Sequence, residues 1–265
     1  MKSVLLLIHA DLGQEARLSA ALDLVRALQG HLVCLDVVAF PTLAGDVTGM
    51  AAGLILTKEC HLAAENRRLV EERLAREPIP WTWIDTAGDV ADCLLREAGL
   101  ADLVVVNCKR DHWMTIDSRA AAATLAQKAR CPVVAIPDQG RGLDPTGPVV
   151  VAWDGSAPVM ATLRAATPLL KFSRQVRLVT VGEDEAVAPE AAALYLARHG
   201  VTAEVTRCVG SQQHPDVVLQ RICGEDRAAY CLMGAYGHGR LSEDLFGGVT
   251  RRMLDAAALP LVLGH

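Results

Sequence analysis

Apolar residues in this chain fall into short continuous runs, and each run is followed by a longer stretch in which apolar positions recur with helical spacing. A continuous apolar run is typical of a parallel strand that helices cover on both faces, and amphipathic spacing is typical of the covering helices. The alternation of the two patterns therefore predicts an α/β fold. Between the landmark runs described next, strands are predicted near 32–38, 81–85, 176–181 and 202–207, and helices near 14–29, 56–76, 89–99, 157–171, 187–199 and 214–225.

The two halves of the sequence resemble each other. Three pairs of apolar runs correspond in order, namely 4–9 with 149–154, 101–106 with 228–233, and 131–136 with 259–263. In the last pair a proline stops the preceding helix and a short apolar strand follows. Each half is therefore predicted to be a doubly wound, Rossmann-like domain with a parallel five-stranded sheet. The predicted division is a first domain at 1–138, a linker rich in proline and glycine at 139–148, and a second domain at 149–265.

The first half is longer than the second. Aligning Val4 with Val149 needs an offset of 145 residues, but aligning Cys131 with Leu259 needs 128, so about 17 additional residues lie in the first half. We place them between Phe40 and Trp81. A longer surface helix after a flexible loop is the favoured interpretation, and a lid over a ligand is the alternative.

Composition and charge restrict the kinds of partner. The 265 residues carry a formal net charge of -5 with mixed signs throughout, so no nucleic-acid or membrane partner is expected. The first apolar run, 4–8, is too short for a signal segment or a membrane span, and a cytoplasmic protein is expected. None of the eight cysteines forms a C-x2-C pair, which favours reduced, buried thiols over a zinc or redox site.

The segment after the predicted strand at 228–233 is rich in glycine. Gly234, Gly237 and Gly247 have the spacing G-x2-G-x9-G, and Gly248 follows directly. Glycine lets the backbone approach a ligand closely, and a helix N-terminus at the carboxyl end of a parallel strand attracts anions. A tight turn followed by a helix cap is the structural alternative, and the spacing alone does not decide between them.

This spacing resembles the ATP-binding motif of the universal stress protein family. The run 149–156, which reaches Asp154, is similar to that family's first strand, and 259–263 is similar to its last. The resemblance covers the second half and, more faintly, the first, which implies a tandem two-domain member. It implies that the adenine and ribose are lined by Ala152, Trp153 and Asp154, and that Val181 packs on the base. It implies that the ribose and α-phosphate are held by Met233, Gly234 and Gly237. The outer phosphates are implied to be held by Gly247, Gly248, Val249 and Thr250.

The sequence departs from the family pattern at one of these positions. The family often has Ser or Thr directly after the third glycine, and Gly248 stands there, so a hydroxyl ligand for phosphate is lost while the backbone donor remains. Arg240, Arg251 and Arg252 are interpreted as solvated surface charges. His238 is interpreted as a neutral loop side chain, and none of these four residues is assigned to the site.

The corresponding positions of the first half do not favour binding. His9 stands in place of Asp154, the segment 107–110 replaces the glycines at 234–237, and an alanine-rich stretch at 119–122 replaces Gly247 and Gly248. This first site is expected to be closed. The first domain is expected to pack against the second as an intrachain pseudo-dimer, and pairing of two chains stays open.

No catalytic machinery is recognisable in the sequence. A nucleophile elbow, a metal-ligand cluster and a phosphate-binding loop with lysine are all missing from it. The resemblance therefore implies a stress-response regulatory protein that binds ATP, or AMP or ADP, with Mg²⁺ as a candidate companion ion and an unidentified protein partner. The alternatives are a slow ATPase that uses Asp154 and a nucleotide-free interaction module.

Overall fold

The structure is a computed structural model that describes residues 1–39, 49–108, 118–182, 186–210, 213–235, 247–256 and 258–265. In the first half the elements are β1 (Ser3–Ile8), α1 (Gln14–Leu28), β2 (His31–Ala39), α2 (Gly49–Leu74), β3 (Trp81–Gly88), α3 (Val90–Glu97), a 3-10 turn (Ala98–Leu100), β4 (Leu103–Asn107), α4 (Ser118–Lys128) and β5 (Val133–Ile136). In the second half they are β6 (Pro148–Ala152), α5 (Ala157–Leu170), β7 (Gln175–Val181), α6 (Pro189–Arg198), β8 (Ala203–Cys208), α7 (Pro215–Glu225), β9 (Tyr230–Gly234), α8 (Gly247–Asp255) and β10 (Leu261–Gly264).

All ten strands belong to one sheet, in the order β3-β2-β1-β4-β5-β10-β9-β6-β7-β8. Within each half the five strands are parallel, as the continuous apolar runs predict. Helices α1, α2, α5 and α6 cover one face of the sheet, and α3, α4, α7 and α8 cover the other. The doubly wound α/β prediction is therefore confirmed for the described residues.

The prediction of two separate five-stranded sheets is corrected by the contact between β5 and β10. These strands pair antiparallel, with Val133 opposite Leu263, Val134 opposite Val262 and Ala135 opposite Leu261, and all six residues are fully buried. An unpaired apolar edge strand would expose its N–H and C=O groups and invite aggregation. Joining the two halves at these edges removes both exposed edges and produces one ten-stranded sheet.

Helix α2 accounts for the additional length of the first half. It contains 26 residues, whereas α6, the helix between the corresponding strands of the second half, contains 10. The helix begins at Gly49, earlier than the predicted residue 56, so Gly49 and Gly53 are helical and do not belong to a preceding loop. Gly45 lies outside the described residues. The favoured interpretation, a longer helix, agrees with the structure.

The segment between β5 and β6 forms neither helix nor strand, yet it is packed against α1. Leu143 is 2% exposed and lies in the core cluster under α1. Its backbone N–H donates to the Asp23 carboxylate at 3.2 Å. A fixed connection of this kind limits how far the two halves can move relative to each other.

The described cysteines are free thiols, and six of the eight are buried. Burial raises the pKa of Cys34 to about 12 and that of Cys131 to about 11. Because the thiolate is the reactive form, such thiols are chemically inert packing groups. Among the described residues, no group of three or more His, Cys, Asp or Glu side chains is placed to hold a metal ion, and no helix has the length and apolar character needed to cross a membrane.

One carboxylate in the sheet has an unusual environment. Asp36 on β2 lies directly opposite Asp85 on β3, is 5% exposed, and has no hydrogen bond to the described residues. Asp85 is held by Arg67 of α2 at 2.7 Å. Burial, and after it the negative charge of Asp85, raises the pKa of Asp36 to about 6, although Arg67 acts in the opposite direction. Folding therefore shifts Asp36 toward its protonated form, relative to the unfolded chain.

We expect this residue to destabilise the fold as the pH rises. Because its folded pKa lies above the unfolded value of about 4, the stabilising effect of protonation is complete below about pH 4 and is lost as the pH rises through about 6. Urea denaturation of the wild type and Asp36→Asn, at intervals from about pH 4 to pH 7, should show the wild type losing roughly 2 kcal/mol relative to the variant. Parallel pH profiles for the two proteins would contradict the assignment.

Candidate functional site

A cleft opens at the carboxyl ends of β6, β7 and β9, between the sheet and the first turns of α7 and α8. Its volume is about 530 Å³, including the solvent at its mouth. Strand β6 lies between β7 and β9, so the cleft is at the point where the chain order of the strands reverses, which is where open α/β sheets bind ligands. The lining residues are Ala152, Trp153, Asp154, Val179, Val181, Pro215, Leu219, Met233, Gly234, Val249 and Thr250.

The cleft brings together eight of the eleven residues that the sequence assigned to a site. These are Ala152, Trp153, Asp154, Val181, Met233, Gly234, Val249 and Thr250. Gly247 is the first residue of α8, and Gly248, in its first turn, is next to the cleft but is not among the described lining residues. Gly237, Arg240 and His238 lie outside the described residues. The predicted residues from three strands and one helix therefore meet in one place.

Among the described lining residues, Asp154 is the ionisable one. It follows β6, is partly exposed, and its Oδ1 accepts a hydrogen bond from the backbone N–H of Ser156 at 3.0 Å. That bond orients the carboxylate at the strand end, where Ser156 caps α5. In the described part of the chain Oδ2 has no hydrogen-bond donor, so it can accept from a ligand hydroxyl.

Trp153 contributes apolar surface. Its side chain is 4% exposed, its indole N–H donates to the carbonyl of Val187 at 2.8 Å, and its backbone N–H donates to Val179 at 2.8 Å. Both donors are therefore already used inside the protein. The residue can pack against a ligand but has no donor left for one.

Three lining residues were not predicted from the sequence. Val179 lies two positions before Val181 on β7, and the period of two along a strand places both side chains on one face. Pro215 and Leu219 lie one turn apart at the start of α7, on its face toward the sheet. The alternation and the helical spacing could have identified them, but only together with the knowledge that α7 covers this part of the sheet.

Gly234 lines the cleft, and it also has a packing role that the sequence did not predict. A Cβ atom at this position would lie 2.6 Å from the backbone N of Val159 and 3.0 Å from its Cα. The glycine is therefore needed because the first turn of α5 packs directly on the end of β9. Its predicted role, close approach to a ribose or phosphate, stays a prediction.

The start of α8 presents polar groups beside the cleft. Thr250 is 2% exposed, lines the cleft, and its hydroxyl makes no hydrogen bond to the described residues. Gly248 has little space of its own, because a Cβ atom there would lie 2.8 Å from Nη1 of Arg252. The Nε of Arg252 in turn donates to Oδ1 of Asp216 in the first turn of α7, at 2.7 Å. The sequence had assigned Arg252 to the solvated surface.

The corresponding edge of the first half is filled by the chain's own side chains. Arg17 is completely buried and donates to the carbonyls of Leu7 and His9, at 2.7 and 3.0 Å, and to the Asp11 carboxylate. It also donates to Asn107, which ends β4 as Gly234 ends β9. These hydrogen bonds and the ion pair with Asp11 compensate the buried positive charge of Arg17 at the strand ends.

The fold and cleft define a class: a tandem, doubly wound α/β protein with a ligand-type cleft at the switch point of its second half. Two solved structures resemble the whole chain. A universal stress protein from Archaeoglobus fulgidus DSM 4304 has 16% identity and a TM-score of 0.75, over 99% of this chain and 95% of that one. A protein from Pseudomonas aeruginosa UCBPP-PA14 that carries the universal stress protein name has 16% identity and a TM-score of 0.62, over 99% and 92%.

A third solved structure, a functionally unknown protein from Pseudomonas aeruginosa PAO1, also has 16% identity and a TM-score of 0.62, over 99% of this chain and 92% of that one. No protein-family model matches the sequence, and no curated protein matches it either. The chain thus has the universal stress protein fold in its tandem form. At this level of identity, the likeness establishes the fold.

The role of Gly234 in packing leads to a stability test. Gly234→Ala should lower the free energy of unfolding by about 2 to 3 kcal/mol, because the added methyl group meets the backbone of α5, which cannot move without repacking. Urea denaturation measures this change. Gly224→Ala in α7 is the matched control, because no atom of the described residues beyond its chain neighbours and its own helix backbone lies within 4 Å of the new Cβ. It should be neutral or stabilising by about 0.5 to 1 kcal/mol. Equal stabilities of the two variants would refute the packing role.

Proposed function

We propose that the chain is a stress-response regulatory protein whose second half binds an adenine nucleotide in the cleft at the ends of β6, β7 and β9. The observation that carries the proposal is the meeting, in one cleft, of eight residues that the resemblance to universal stress proteins assigns to ATP. The position at a topological switch point supports it, because that is where this class of fold binds nucleotides.

The chemistry of the lining fits the parts of a nucleotide. Val179, Val181 and Met233 form an apolar surface on which a purine base can pack. Asp154 offers a carboxylate oxygen to the ribose hydroxyls. The N-terminus of α8, with the Thr250 hydroxyl, offers donors to phosphate in the field of the helix dipole. Base, sugar and phosphate are thus each matched by a different element.

The same lining favours binding over turnover. Among its described residues Asp154 is the ionisable side chain, and no lysine, histidine or second carboxylate accompanies it. Enzymes that transfer phosphoryl groups place metal ions, a lysine or arginine, and a base or water-orienting side chain around the phosphates. We therefore propose that the nucleotide, as ATP, ADP or AMP, acts as a ligand that stabilises one surface for a protein partner, with Mg²⁺ entering with the phosphates.

Isothermal titration calorimetry with ATP tests the proposal. The wild type should bind, and Asp154→Asn should bind about tenfold more weakly, because a charged acceptor for the ribose is lost. Glu204→Gln is the matched control, since Glu204 is an exposed carboxylate on edge strand β8 and lies outside the described lining. This variant should bind ATP as the wild type does.

Three outcomes separate the proposal from its alternatives. Absence of heat with millimolar ATP on folded protein would favour a nucleotide-free interaction module. Turnover of ATP above background that disappears in Asp154→Asn would favour an ATPase. Binding without turnover, together with a nucleotide that co-purifies and is identified by native mass spectrometry, supports the regulatory function.

A further inference from the structure

The guanidinium of Arg252 lies over the first turn of α8. Gly248 and Arg252 are one helical turn apart, and the arginine side chain runs back toward the helix start, the usual direction in an α-helix. Its Nη1 is 2.8 Å from the place where a Cβ of residue 248 would stand. The guanidinium therefore occupies the space that a serine or threonine side chain at this position would take.

An ion pair with Asp216 holds this guanidinium in place. Oδ1 of Asp216 accepts from Nε at 2.7 Å, and the Asp216 side chain is 8% exposed, whereas that of Arg252 is 40% exposed. Within the described part of the chain, Nε is the guanidinium nitrogen that donates a hydrogen bond. The two terminal nitrogens thus keep their N–H groups available while the buried carboxylate fixes their orientation.

The pair lies next to residues of the cleft, although neither Asp216 nor Arg252 belongs to the described lining. Asp216 follows the lining residue Pro215, and Gly248 precedes the lining residue Val249. Positive charge here adds to the positive end of the α8 dipole, at the side of the cleft where the phosphates are proposed to lie.

The first half has no such pair at the corresponding positions. Counted from the helix N-caps Asp89 and His214, Asp216 of α7 corresponds to Ala91 of α3. Arg252 of α8 corresponds to Thr124 of α4, with the 128-residue offset that aligns the ends of the halves. Both members of the ion pair are therefore replaced by uncharged residues in the half whose strand ends are filled by Arg17. The pair accompanies the cleft and is not a general requirement of the fold.

We propose that Arg252 is a specificity-determining residue of the cleft, which donates from its terminal N–H groups to the outer phosphates and replaces the hydroxyl that is missing at Gly248. Asp216 is the positioning residue that aims it. The site consequently prefers nucleoside di- and triphosphates to nucleosides. This inference rests on the proposed binding of an adenine nucleotide and deepens it.

Titrations with ATP and with adenosine test the assignment. Arg252→Gln should weaken ATP binding about tenfold or more, because a charge-assisted contact is lost, and should change adenosine binding by less than about twofold. Arg251→Gln is the matched control. Arg251 is the adjacent cation, is 72% exposed and pairs with Asp255 at 3.8 Å, so both affinities should stay within about twofold of the wild type.

A second variant protects the test against misfolding. Arg252→Gln alone leaves the buried Asp216 carboxylate without its partner, so Asp216→Asn combined with Arg252→Gln removes both charges. The double variant should show the same selective loss of ATP affinity. Arg252→Lys should recover part of it, since it restores the charge without the planar guanidinium.

The results distinguish this inference from the proposed function. A wild type that binds neither adenosine nor ATP refutes nucleotide binding altogether. A wild type that binds both, with the ratio of the two affinities unchanged in the folded Arg252 variants, refutes the role of Arg252 alone. Equal weakening of adenosine and ATP would assign Arg252 to the support of α8 and likewise overturn the inference.

Discussion

The antiparallel pairing of β5 with β10 determines the arrangement of everything else in this chain. It joins the two halves edge to edge and leaves β3 and β8 as the outer strands of one sheet. Because all strands within a half are parallel, the carboxyl ends of the first half point in the opposite direction from those of the second. The cleft of the second half and the filled edge of the first therefore lie at opposite ends of the sheet and cannot share a ligand.

The strand ends of the two halves carry different side chains on one scaffold. In each half a glycine allows a close contact between a strand end and a helix. In the second half this glycine is Gly234, at the end of β9, and the first turn of α5 packs on it. In the first half it lies next to the helix, at Gly13, and the Asn107 side chain occupies the space, so that a Cβ at Gly13 would overlap the Asn107 amide. Asn107 also binds the buried Arg17. The close contact between strand and helix is thus made in two ways. In the first half, the Asn107 side chain fills the space at the strand end.

Much of the fold could be predicted from the sequence, because buried parallel strands leave a strong signal. The runs beginning at Val4 and Val149 are apolar at consecutive positions, which few other structures explain. The joining of the two sheets could not be predicted in the same way. It depends on which edges meet, and β5 and β10 look like any other short apolar run in the sequence.

The candidate site shows a similar division between local and non-local information. Residues at strand ends, such as Asp154 and Met233, were found because a motif or a strand boundary marks them. Leu219 and Arg252 were not assigned to the site from the sequence. Their proximity to the cleft depends on how α7 and α8 lie against the sheet and against each other. The packing of α5 on Gly234 was also not predicted, since a glycine signals only that a side chain does not fit, and not which neighbour excludes it.

These observations suggest how the recognition of the parts of a ligand is distributed over the fold. In the proposed function, the apolar surface for a base comes from β7 and β9, which are fixed by the sheet, whereas the ion pair that positions Arg252 joins α7 and α8. Strands inside a ten-stranded sheet cannot move independently, but two helix ends joined by one ion pair can adjust together. Under the proposed function, the surface for the base is fixed by the sheet, and the contact to phosphate depends on the ion pair between two helices. A change in that contact would alter the surface that α7 and α8 present without disturbing the core beneath them.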